Sequence, residues 1–287
     1  MRKTILITGT NGFIGKHLCA RLLKSDFEIL SCKDIFNIKD NFEKNIIHII
    51  HLAGKTYVPD SWNHPFDFYK VNFEGTLNVL ELCREHKIGL TYVSSYVYGH
   101  PEYLPIDENH RVSPNSPYNH SKLLAEEVCK FYAENFGVDV TVLRPFNIYG
   151  KGQRRGFIMA DLMEQVFNNE VVTLDDITPK RDFLYIEDFL DVLELTVGLK
   201  GFSIYNVGSG KSYSVKDVIE ETLSILNSKK AYASRGIFRK NEVADVVADI
   251  SKIKKELKWT PKYSLRDGLT DMINKIKSEK NSEDKYV

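Results

Sequence analysis

In Ser116-Pro117-Tyr118-Asn119-His120-Ser121-Lys122 a tyrosine and a lysine stand four residues apart at the start of an expected helix, so both project from one face. A phenol ordinarily titrates near about pH 10, and an ammonium group beside it favours the phenolate. A tyrosine so activated exchanges a proton with an alcohol or carbonyl oxygen. Alone, such a pair describes an ordinary surface helix. The strand ending Thr91-Tyr92-Val93-Ser94-Ser95 supplies the context, because open parallel sheets bind ligands beyond the carboxyl ends of their strands and Ser94 falls there.

A second constellation lies at the other end of the chain. Thr8-Gly9-Thr10-Asn11-Gly12-Phe13-Ile14-Gly15 follows a short apolar run and leads straight into a helix. One glycine permits a tight turn, one lets backbone amides approach a pyrophosphate, and one lets the helix pack close to the sheet. Phosphates then sit at a helix N-terminus, which makes this a dinucleotide site. An acidic residue at the end of the second strand binds the ribose of NAD. In Leu30-Ser31-Cys32-Lys33-Asp34 that position falls on Lys33, suited to a 2′-phosphate, or on Asp34, suited to a 2′-hydroxyl. The choice is between NADP and NAD, with a slight balance toward NADP.

The elements that must position these residues alternate through the first half. Strands are predicted at Thr4 to Thr8, Glu28 to Cys32, Ile46 to Leu52, Leu90 to Ser94 and Val138 to Leu143. Crossover helices are predicted at Gly12 to Lys24, Pro65 to His86 and Tyr118 to Phe136. Right-handed crossovers give an α/β fold, a doubly wound parallel (Rossmann) sheet over residues 1–150. After Gly150 the regularity fades into a smaller C-terminal α/β substrate lobe, 151–287, with about 183–205 returning to the first lobe. Its predicted helices are Phe157 to Phe167, Ile186 to Val197, Ser214 to Leu226 and Ser264 to Lys277, and the polar tail 278–287 is expected to be disordered.

Composition narrows the setting. Lys and Arg number 39 against 39 Asp and Glu, with no basic block, so neither nucleic acid nor an acidic membrane surface is an expected partner. Cys19, Cys32, Cys83 and Cys129 form no C-x-x-C pair, which suggests neither a metal site nor disulfides. No apolar run has signal-peptide or membrane-spanning length, and a cytoplasmic enzyme is expected.

With these motifs in order, the chain resembles the extended short-chain dehydrogenase/reductase family, which includes sugar-nucleotide epimerases, dehydratases and 4-keto-reductases. The resemblance extends from Thr4 to about Ile276. Further matches are His51-Leu52-Ala53-Gly54, Asn72-Phe73-Glu74-Gly75-Thr76 and Leu143-Arg144-Pro145-Phe146-Asn147-Ile148-Tyr149-Gly150. The resemblance implies Tyr118 as acid/base, Lys122 as the group that lowers its pKa and holds the nicotinamide ribose, and Ser94 as a second hydroxyl on the reacting oxygen. It implies that Leu52, Ala53, Gly54 and Asn72 line the cofactor, and that Ser95, Tyr96 and Asn147 meet the substrate. Arg181 and Arg239, in segments similar to the family's nucleotide-sugar lobe, are the candidates for the diphosphate of a nucleotide-diphospho-sugar. Family members often pair through a four-helix bundle, so a homodimer is expected.

The dehydratase branch carries an Asp-Glu pair where this chain has Ser95-Tyr96, which disfavours dehydration. Lys33 and the compact connection Asp34 to Asp40, similar to the GDP-fucose synthase type, tilt the expectation to reduction of a 4-keto-sugar by NAD(P)H. A 4-epimerase with tightly held NAD is the alternative, and a non-catalytic cofactor sensor on the same fold is a remote one.

Overall fold

The computed structural model describes residues 3–41, 45–238 and 242–283. The first half runs β1 (Thr4–Thr8), α1 (Phe13–Leu22), β2 (Glu28–Cys32), β3 (Ile46–His51), α2 (Val58–Asn63), α3 (Pro65–Phe68), α4 (Gly75–His86), β4 (Gly89–Val93), α5 (Pro117–Phe136) and β5 (Val140–Pro145). The second half contains β6 (Asn147–Tyr149), α6 (Ile158–Asn168), β7 (Val172–Leu174), β8 (Lys180–Tyr185), α7 (Ile186–Leu195) and β9 (Phe202–Val207). It ends with β10 (Ser212–Ser214), α8 (Val215–Ile225), β11 (Tyr232–Ser234), α9 (Ser251–Leu257) and α10 (Leu265–Glu283).

Every residue of β1 is buried, the mark of a central parallel strand covered on both faces. The main sheet has six strands in the order β2-β1-β3-β4-β5-β9, all parallel. The chain therefore winds outward from β1 in both directions, and the carboxyl ends of β1 and β3 face the switch point where such sheets bind ligands. The two faces of β1 feed separate cores: Ile5 and Ile7 join one that continues into Leu190, Val218 and Leu269, while Leu6 joins Ile49, Val79, Leu90 and Val142 on the other. Trp259 is buried in the first of these, as its apolar setting suggests. The strand β9 adds to β5 in the register Val140↔Phe202 to Pro145↔Val207. Three further strands pair as β10-β8-β6 and two as β11-β7.

The helix that carries Tyr118 and Lys122 is firmly bounded. Ser116 caps it by accepting from Asn119 N at 3.2 Å, Pro117 opens it, and Gly137 closes it at φ 67°. The expected helix 65–86 is instead α3, a π-helical stretch Tyr69–Glu74 and α4. The tail differs too: α10 runs on to Glu283 where disorder was expected from 278, because polar residues extend a helix that packing has already nucleated. Among the described residues no helix is long and apolar enough to cross a membrane.

Candidate active site

The glycine turn is built as its spacing requires. Gly9 has φ +73°, and a Cβ there would stand 2.7 Å from Ala53 N. A Cβ on Gly15 would overlap the Gly9 carbonyl oxygen, so the helix start can lie against the turn only with hydrogen at that position. The α1 N-terminus thus meets the loop after β3 with its first amides facing a cavity of about 1290 Å³. Those bare backbone groups at a helix N-terminus fit a dinucleotide pyrophosphate.

That one cavity gathers most of the expected residues. Gly9, Asn11, Gly12, Phe13, Ile14, Gly15, Leu52 and Gly54 line it, as do Ser94, Ser95, Tyr96, Tyr118, Lys122, Asn147 and Arg181. Burial pushes the Tyr118 phenol up to about 12, and the Ser95 hydroxyl pulls against that rise. Ser94, expected as the second hydroxyl, and Ser95 beside it both line the cavity with Tyr118. The hydroxyls of Ser94 and Ser95 are buried without a well-formed hydrogen bond among the described residues, as expected of groups aimed at a ligand. Burial lowers the Lys122 ammonium to about 8, opposed by the Glu126 carboxylate four residues on. Lys122 lies 4.5 Å from the Tyr92 ring centroid.

Four expected cofactor residues stand outside the cavity wall: Lys33, Asp34, Ala53 and Asn72. Lys33 is exposed after β2. Asp34 spends its carboxylate on its own turn, accepting from Phe36 N and Asn37 Nδ2, both at 2.9 Å. Asn72 is buried and bonds to both backbone groups of Lys55 and to Ser121 Oγ, so it braces the loop after β3 rather than facing the cavity. Asn147 donates to Asp182 O at 3.3 Å. Arg181 is paired with Glu242, and also donates to Val243 O at 2.7 Å. Its neighbour Asp182 turns inward instead, accepting from Ser209, Gly210 and Ala248. Arg239 lies outside the described residues.

Some of the wall escaped the sequence reading. Gln153 and Arg154 line the cavity; Arg154 stacks 4.4 Å from the Tyr57 ring centroid and Gln153 Oε1 is buried without a partner among the described residues. Their signal was the run Gly152 to Gly156 itself, charged and glycine-bounded beside a substrate lobe.

Comparison with known proteins places this geometry. Residues 30–272 match the family described as GDP-mannose 4,6 dehydratase. A putative UDP-glucose 4-epimerase of Methanocaldococcus jannaschii is 30% identical over 96% of this chain and 98% of its own. A GDP-6-deoxy-D-mannose reductase of Pseudomonas aeruginosa is 30% identical over 97% of this chain and 100% of its own. Among solved structures, RMD from Pseudomonas aeruginosa complexed with NADPH superposes with a TM-score of 0.88 at 29% identity, covering 96% of this chain and 99% of that one. MoeE5 in complex with UDP-glucuronic acid and NAD gives 0.89 at 28% identity with the same coverage. Motifs, sheet order and relatives agree, and the chain belongs to the extended short-chain dehydrogenase/reductase family, in the branch of NAD(P)-dependent nucleotide-sugar epimerases and reductases.

Proposed function

We propose that this protein reduces a nucleotide-diphospho-4-keto-sugar, with Tyr118 as the proton donor. The observation that carries the reading is the convergence of Tyr118, Lys122, Ser94 and Ser95 on the cavity that the glycine turn opens into. A bound NAD(P)H supplies the hydride to the carbonyl carbon. Tyr118, kept protonated by burial, holds its hydrogen for the carbonyl oxygen that becomes an alcohol. Ser94, with Ser95 beside it, offers a second hydroxyl to that oxygen, and Lys122 holds the nicotinamide ribose from one helical turn away. Leu52 and Gly54 line the cofactor side, and Tyr96, Asn147 and Arg181 the substrate side. On this reading residues 1–150, with the return at about 183–205, hold the cofactor, and the lobe from 151 onward holds the nucleotide sugar.

NADP is favoured over NAD by the end of β2. Ser31 bonds through its hydroxyl to Thr10 at 2.6 Å, Lys33 stands exposed beside it, and the only carboxylate of that stretch, Asp34, is taken up by its own turn. A rim of hydroxyls and an ammonium suits a 2′-phosphate better than a ribose diol.

A second reading, a 4-epimerase with tightly held NAD, is supported by the similarity to the Methanocaldococcus jannaschii protein. Stoichiometry separates the two. A reductase consumes one NAD(P)H per product, whereas a purified chain that equilibrates a pair of nucleotide hexoses with no net cofactor consumption is an epimerase.

A further inference from the structure

At the carboxyl end of β1 the Thr8 hydroxyl meets three partners. It accepts from Leu52 N at 3.1 Å and Ala53 N at 3.0 Å, and lies 2.6 Å from His51 Nδ1. A hydroxyl has two lone pairs and one proton. Both lone pairs are taken by amides, so the proton points at Nδ1, which must be bare. His51 then carries its hydrogen on Nε2 and donates it to Thr76 Oγ1 at 3.1 Å, and Thr76 donates to Asn72 O at 2.6 Å. The Asn72 side chain closes the circuit, accepting from Lys55 N at 2.8 Å and donating to Lys55 O at 3.0 Å. The loop from Leu52 to Lys55 is thus gripped at its start by Thr8 and at its end by Asn72, with His51 and Thr76 joining the two grips.

We infer that His51, locked as the Nε2–H tautomer by Thr8 and Thr76, is a positioning residue that holds the Leu52–Lys55 loop against the Gly9 turn and so shapes the cofactor side of the cavity. This rests on the cofactor reading above. Every bond in the ring has one allowed direction. A hydrogen on Nδ1 would set donor against donor at Thr8, and the two loop amides would lose their acceptor. The closeness of the fit shows at both ends of the loop. A Cβ on Gly9 would stand 2.7 Å from Ala53 N, and one on Gly54 would stand 3.0 Å from Asn72 Oδ1 and 3.7 Å from Lys122 Nζ. His51 is fully enclosed, and burial together with the Lys122 ammonium drives its imidazole down to about 3, which keeps it neutral in any ordinary buffer.

Thr8→Val removes the hydroxyl while keeping the shape, and Thr8→Ser keeps the hydroxyl. Titration with NADPH and NADH should show wild type and Thr8→Ser within about twofold of each other, and Thr8→Val weaker by about tenfold or more, the cost of leaving buried amides unpaired. At saturating cofactor the Thr8→Val kcat should fall less than its affinity. Nitrogen NMR of histidine-labelled wild type should show His51 Nδ1 bare and Nε2 protonated, a readout that needs no variant to fold. A protonated Nδ1, or a folded Thr8→Val that binds cofactor like wild type, overturns the inference. A wild-type chain that binds neither nicotinamide dinucleotide overturns the cofactor reading instead, and the tautomer then still judges the ring.

Discussion

Lys122 holds its ammonium 4.5 Å from the centre of the Tyr92 ring in a site that leaves the lysine 4% exposed. The ring face replaces part of the lost hydration, and burial still lowers the pKa to about 8 from 10.5. Below pH 8 the folded chain therefore bears the whole cost of a buried cation. Between about pH 8 and 10.5 the unfolded chain binds the extra proton, so stability rises with pH through that window. Lys122→Met should stabilise the fold at pH 7 by on the order of 3 kcal/mol in urea melts while abolishing turnover. A less stable Lys122→Met would contradict this account of the site.

The pair that anchors α5 to the sheet works in the opposite sense. Arg144 on β5 donates three hydrogen bonds to Glu126 on α5, at 3.1, 3.0 and 2.6 Å, and a fourth to Tyr98 at 2.9 Å. Neither side chain exceeds 6% exposure. Arg144→Met strips the buried Glu126 carboxylate of its hydrogen-bonding partner and should cost about 3–5 kcal/mol in chemical melts. The double variant Glu126→Leu, Arg144→Met should recover most of that loss. Equal damage in single and double variants would mean that shape rather than charge is what the pair contributes.

Acid sensitivity follows from a histidine far from the cavity. His48 bonds through Nε2 to Thr91 at 2.7 Å, and burial lowers it to about 4 from 6.5. As pH falls from 6.5 toward 4 the unfolded chain gains a proton that the folded one refuses, so stability falls with pH across that window. Between pH 6.5 and 5 the loss from this one group is about 2 kcal/mol. His48→Gln should flatten the pH dependence of the urea midpoint by that amount. An unchanged slope would show that His48 titrates alike in both states.

The legible part of the site was local. Tyr118 with Lys122, and Gly9 with Gly12 and Gly15, announce themselves because helix period and turn geometry act over a few residues. The polar partners of these motifs were not legible, since Thr8 meets His51 across 43 positions and Arg144 meets Glu126 across 18. His51 read only as part of a motif, although its ring holds the cofactor-side loop together. The strand β8 escaped for another reason: the helix from Ile186 was legible, but the short run Phe183-Leu184-Tyr185 leading into it is too brief an apolar stretch to show a strand period of its own.

Cofactor choice is tested at the rim of β2. Lys33→Ala should weaken NADPH binding by about tenfold and leave NADH within twofold, because a single ammonium facing a 2′-phosphate has no counterpart in the diol. Equal effects on both cofactors would remove Lys33 from the site.

On the reductase reading, the Tyr118 hydroxyl moves the proton that accompanies reduction of the sugar. The direct measurement is turnover of nucleotide-diphospho-4-keto-sugars by Tyr118→Phe, followed by loss of NAD(P)H absorbance, beside cofactor affinity measured on the same preparation. The rate should be lower by about 10²- to 10⁴-fold with cofactor affinity unchanged. A Tyr118→Phe chain that turns over at the wild-type rate would contradict it.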